Sequence, residues 1–115
     1  MRAHDASTAL EDALTAALTI QRFLSGFTIE QYLVDEVVRS AVERQFEILG
    51  EALGRALRVD KTLAEHLPEA PEVIGFRNLL AHAYDAVMDE TVFGLAKEDL
   101  PALAGRLESL LQERP

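Results

Sequence analysis

The chain predicts an all-α, up-and-down bundle of four principal helices with one or two short ones. Three observations carry that. Apolar residues recur at three- and four-residue steps along most of the chain, and no stretch shows the two-residue alternation of a half-buried strand. With 6 Gly and 4 Pro in 115 residues, the composition is not that of a disordered or collagen-like chain. There are no cysteines, which excludes disulfides and thiolate zinc sites as the framework. The apolar share, 49%, suits one domain over residues 1–115, large enough for a core and small enough to gain from a partner subunit.

The first helix is expected from about Asp5 to Ser25, with Leu10, Leu14, Ala17, Leu18 and Leu24 on its stripe. Thr8 with Glu11 has capping-box spacing, and Asp5 is an equal candidate for its start. Gly26 is the natural stop. Thr28 and Gln31 repeat the capping pattern and open a short helix through Ile29, Tyr32 and Leu33. A long helix should run from about Asp35 to Arg58, carrying Val34, Val38, Ala41, Val42, Phe46, Leu49, Ala52, Leu53 and Ala56 on its stripe. Gly50 and Gly54 lie one turn apart, where another helix can come close, either inside the monomer or in a dimer.

Residues Val59 to Pro71 read as irregular, with one turn around Leu63 to His66. Pro71 suits the first turn of a helix from about Glu72 to His82 or Tyr84. Asp85 to Met88 read as a connector, and Asp89 as the N-cap of a last helix through Val92, Phe93, Leu95, Leu100, Leu103, Leu107, Leu110 and Leu111. Pro101 lacks an amide donor, so that helix should kink or restart near Asp99.

The formal charge is −9, from 20 acidic and 11 basic residues. A domain that grips nucleic acid along an extended face is normally basic, because phosphate contacts supply much of the affinity. This composition argues against such a grip and leaves room for a small cationic cleft on an acidic body. The N-terminus has no apolar run of signal-peptide length, and no stretch approaches a membrane span. With no cysteine, a reducing cytoplasm is the expected setting.

One segment departs from the Leu/Ala pattern by four polar groups: Arg77-Asn78-Leu79-Leu80-Ala81-His82-Ala83-Tyr84. Arg binds phosphate bidentately and keeps its charge. His exchanges a proton near neutral pH, and Tyr offers a hydroxyl. Together they are parts for phosphodiester chemistry. On one ideal helix, five residues turn through ~500°, which leaves Arg77 and His82 ~140° apart. Either the helix loosens near His82 or a second subunit contributes. A two-fold dimer that juxtaposes two copies of the segment would put two Arg and two His in one cleft.

The pattern R-x4-H-x-Y resembles the signature of the HEPN superfamily, and specifically its HepT-like toxins of prokaryotic toxin–antitoxin pairs. The resemblance spans about Phe23 to Leu111. It includes Ile48-Leu49-Gly50-Glu51-Ala52, the polar Asn78 after Arg77, and the turn Asp99-Leu100-Pro101. One departure is that members often carry a Trp shortly before the Arg, whereas the nearest large aromatic here is Phe76. The resemblance implies a homodimeric, metal-independent endoribonuclease with Arg77 and His82 as catalytic residues at the subunit cleft. It implies RNA as substrate, no cofactor, and Asn78 as the adjoining polar residue. It also implies a nucleotidyltransferase (MNT-domain) antitoxin that transfers AMP to Tyr84, and a larger complex of the two is compatible with it.

Simpler readings stand beside these. A His on an apolar helix is commonly a packed core residue, an Arg a surface ion-pair partner, and a Tyr a packing residue with its hydroxyl at the rim. Glu51 could support the cleft, pair with an Arg, or be solvated. His4 and His66 have no companions, and no cluster has metal-ligand spacing. A rival to the nuclease is a non-catalytic helical module that partners a nucleotidyltransferase. Intact Arg77, His82 and Tyr84 favour the enzyme, and the charge of −9 favours the module.

Overall fold

Two long helices, α1 (Arg2–Phe23) and α3 (Glu36–Val59), pack against each other as the spine of the molecule. They are seen in a computed structural model that describes the backbone of residues 2–80 and 86–114, and the side chains of residues 6–77 and 88–114. A short α2 (Ile29–Val34) joins them. A 3-10 helix (Lys61–His66) then turns the chain into α4 (Ala70–Leu80), followed by α5 (Ala86–Glu98) and α6 (Leu100–Gln112). No strand occurs among the described residues. The fold class is the expected one.

The core follows from small residues on α1 and a heptad-like stripe on α3. Ala6, Ala9, Ala13, Ala16 and Ile20 line the buried face of α1, so α3 can approach closely. Val42, Phe46, Leu49, Leu53 and Ala56 repeat at four- and three-residue steps and are fully buried. Helix α6 closes the bundle against α1 with Leu100, Leu103, Ala104 and Leu107. Leu18, expected on the buried stripe, is 43% exposed because the alanine face, one residue away, is the one that meets α3.

Helix boundaries obey local chemistry. Gly26 takes φ +79, a left-handed conformation open to glycine, and ends the turn after α1. Lys97 on α5 donates to the carbonyl of Leu24 at 2.7 Å, placing a cation at the C-terminal end of α1. Thr28 and Gln31 form the expected capping box: the Gln31 amide donates to Thr28 Oγ1 at 3.2 Å, and the Thr28 amide donates to Gln31 Oε1 at 2.9 Å. Asp35 caps α3 by accepting from the Val38 amide at 3.0 Å. The chain breaks direction at Asp35, so Val34 belongs to the end of α2, is 84% exposed and is no part of the α3 stripe.

Two helix starts differ from the sequence expectation. Helix α1 begins at Arg2, so Asp5 and Thr8 both lie inside it; buried Ala6 and Ala9 extend the packed stripe upstream of either cap. Helix α5 begins at Ala86, which makes Met88 helical and not a connector; Asp85 lies outside the described residues. Asp89 is consequently a first-turn residue and not the N-cap. An acid is favoured in either place by the helix dipole, which is why sequence could not separate them. The expected restart is present: α5 ends at Glu98 and α6 begins at Leu100 with Pro101 in its first turn.

Candidate functional site

Helix α4 carries the distinctive segment, and two contacts fix it against α3. Phe76 is buried and meets Phe46 edge-on, with ring centroids 5.8 Å apart and planes at 76°. The second contact lies one residue further on. A Cβ placed on Gly50 would stand 3.0 Å from Cβ and 3.1 Å from Cδ of Arg77, and 3.5 Å from the carbonyl oxygen of Val73. Of the two readings of Gly50 and Gly54, the groove inside the monomer therefore holds for Gly50. Gly54 meets only the end of the Arg58 side chain, at 3.5 Å.

Arg77 is half-buried along its stem, and among the described residues its guanidinium has no hydrogen-bond or ion-pair partner. That sets it apart from Arg39, Arg55, Arg106 and Arg114, each paired with an acid. A guanidinium with no acid beside it has its hydrogen-bond donors available to an anion such as a phosphate. The side chain of Asn78, and all of His82 and Tyr84, lie outside the described residues. The described elements on either side of residues 81–85 are both anchored on α3, α4 at Gly50 and α5 through an ion pair of Asp89 with Arg39 at 3.6 Å.

Glu51 is exposed and lies 3.8 Å from Arg55, which also reaches Asp12 of α1 at 2.6 Å. Among the described residues it pairs within the α1–α3 groove and not with Arg77. His66 is exposed at the end of the 3-10 helix, and the side chain of His4 is outside the described residues. Among the described residues no group of three His, Cys, Asp or Glu is placed to hold a metal ion, and no helix is long and apolar enough to cross a membrane.

One feature of α4 was not foreseen. The Glu72 carboxyl hydrogen-bonds Asp99, at the turn between α5 and α6, and this neighbour together with slight burial raises its pKa above the ordinary value. The two acids are 27 positions apart in sequence, so no local pattern announces them. Asp99 has no side-chain bond to the α6 amides, although it occupies their cap position. On Asp60, by contrast, the Thr62 hydroxyl bond leads a set of contacts that holds the carboxyl below its usual range.

The fold and site define a small helical bundle whose fourth helix carries a half-buried arginine with no ion-pair partner among the described residues. The chain belongs to the HepT-like ribonuclease family, whose model, described as "Ribonuclease HepT-like", matches residues 13–110. A Thermococcus cleftensis protein named "Probable ribonuclease HepT" is 35% identical over 101 residues, covering 88% of this chain and 91% of the relative. A Methanocaldococcus jannaschii protein named "Putative RNase MJ1380" is 28% identical over 110 residues, covering 94% of this chain and 98% of the relative. No solved structure matches the chain.

Proposed function

We propose that this chain is an endoribonuclease toxin that works as a homodimer, with Arg77 and His82 acting on one RNA phosphodiester. The observation that carries the reading is the family match over residues 13–110, which includes Arg77, His82 and Tyr84 in their R-x4-H-x-Y spacing. Arg77, half-buried and without an ion-pair partner among the described residues, supports it. Exposed Val34 and Val37 on the α2–α3 corner give a second copy apolar surface to cover.

The chemistry needs no group beyond those side chains and the RNA. One His82 takes the proton of the ribose 2′-hydroxyl as its oxygen bonds to phosphorus. Arg77 holds the phosphate and offsets the charge that builds on its equatorial oxygens. As the bond to the 5′-oxygen breaks, the His82 of the second copy gives that oxygen a proton. The products are a 2′,3′-cyclic phosphate and a 5′-hydroxyl. Asn78 adjoins Arg77 and would orient a phosphate oxygen or the imidazole.

Tyr84 is the regulatory position in this reading. A nucleotidyltransferase antitoxin would transfer AMP to its hydroxyl, putting a negative phosphate and a nucleoside where RNA must enter. The charge of −9 favours the alternative, a non-catalytic module that partners the nucleotidyltransferase. Induced expression separates the two. Growth arrest by the wild type and not by Arg77→Ala or His82→Ala supports the nuclease; equal behaviour of all three supports the module. Tyr84→Phe should stay toxic and escape the antitoxin. A purified enzyme that cuts a substrate with deoxyribose at the scissile position would refute attack by the 2′-oxygen.

A further inference from the structure

We infer that Gly50 is a positioning residue for the reaction: the notch it leaves in α3 seats the stem of Arg77 and aims its guanidinium at the phosphate. The inference rests on the nuclease reading of Arg77 and adds a residue on a different helix. Glycine inside a helix costs ~1 kcal/mol relative to alanine, so its presence in the middle of the 24-residue α3 calls for a reason. The other glycines show the contrast. Gly75, Gly94 and Gly105 have open space where a Cβ would go, and Gly54 meets only a flexible side-chain end.

At Gly50 the space is taken by the Cβ and Cδ of Arg77, 3.0 and 3.1 Å from the position of an added methyl carbon. Carbon atoms pack best at ~3.5–4.0 Å, so a methyl there must push its neighbour away. The two contacts respond differently. Arg77 Cβ is fixed to the backbone of α4, and relieving it shifts or tilts the helix. Cδ is relieved by changing a side-chain torsion, which swings the guanidinium, two bonds further out, through a larger arc. Either response moves the charged group. The contacts call for a shift of a few tenths of an ångström at the stem; a full ~1 Å at a reacting centre can cost on the order of 100-fold in rate, so a loss of ~10-fold is in scale.

A purely structural role for Gly50 would lower stability and leave the rate of folded enzyme alone. A positioning role lowers the rate through Arg77. The test is a double-mutant cycle on the full chain, using steady-state cleavage of an RNA that the wild type cuts. Gly50→Ala should reduce kcat by ~10-fold or more with a smaller change in KM, as expected when an interaction of the transition state is lost. In the Arg77→Ala background, Gly50→Ala should remove nothing further. Gly105→Ala, at an open and exposed position, should behave as wild type.

Wild-type kcat in folded Gly50→Ala would overturn the inference, as would an equal further loss in the Arg77→Ala background. A readout on the unaltered protein covers the case in which Gly50→Ala does not fold. The Arg77 Nε–H should show a 15N heteronuclear NOE close to backbone values, and a freely mobile guanidinium would overturn the seating. If the wild type cleaves no RNA, the nuclease reading fails, while the NOE still decides whether Gly50 holds Arg77.

Discussion

Replacing Phe46 with alanine tests whether α3 and α4 are joined as described. Phe46 is fully buried and presents its ring to the edge of Phe76, the residue before Arg77. Truncating a core phenylalanine costs ~3–5 kcal/mol, from lost apolar burial and the cavity that remains. In a domain of this size, each kcal/mol lowers the melting temperature by ~4 °C, so Phe46→Ala should melt ~12–20 °C below wild type. The ring–ring contact itself is a smaller part, ~0.5–1.5 kcal/mol. It is isolated by a cycle of Phe46→Leu, Phe76→Leu and the double variant, which keeps volume in the core. Each single change loses the shared contact, so the double should cost less than the sum by that amount. Urea unfolding at one fixed protein concentration measures all four, since association would shift the midpoint. Costs that add within ~0.3 kcal/mol would show that the rings are energetically independent. A loss below ~1 kcal/mol for Phe46→Ala would refute its place in the core.

Two further outcomes follow from the caps and the acid pair. Asp35→Ala should cost ~1 kcal/mol by removing the bond to the Val38 amide, read in the same urea assay, and Asp35→Asn should recover most of it. Glu72 has a raised pKa, so its pairing with Asp99 stabilises the fold fully below the ordinary value near 4.5 and loses that contribution as pH rises through the raised value. Glu72→Gln should therefore melt higher than wild type at pH 7, with the gap closing below pH 4.5. A gap that widens as the pH is lowered would reverse the sign of that linkage.

The candidate site can be picked out in the sequence because its polar residues are close together along the chain. Arg77, Asn78, His82 and Tyr84 lie within eight positions, and their polar character among Leu and Ala marks them without coordinates. Gly50 was visible as a small residue at a point of close approach, but what approaches it was not. A notch has meaning only when the side chain that fills it is known, and that side chain is 27 positions away. Glu51 shows the reverse case: an acid in an apolar helix invites a role in the cleft, and its described partner is Arg55 on its own helix.

Helix content, the cap of the short second helix and the break at Asp99 could be written down from the chain alone, since hydrogen-bonding side chains and three- to four-residue periodicity act over a few residues. The Thr28–Gln31 box illustrates this. The starts of α1 and α5 could not. Which face of α1 turns inward depended on packing: the alanine stripe won over Leu18 because a close neighbour rewards small side chains. Tertiary structure likewise decided that Arg77 lies across Gly50 and that Glu72 meets Asp99. Those relations join residues on separate helices, and only the spacing and tilt of packed helices can set them.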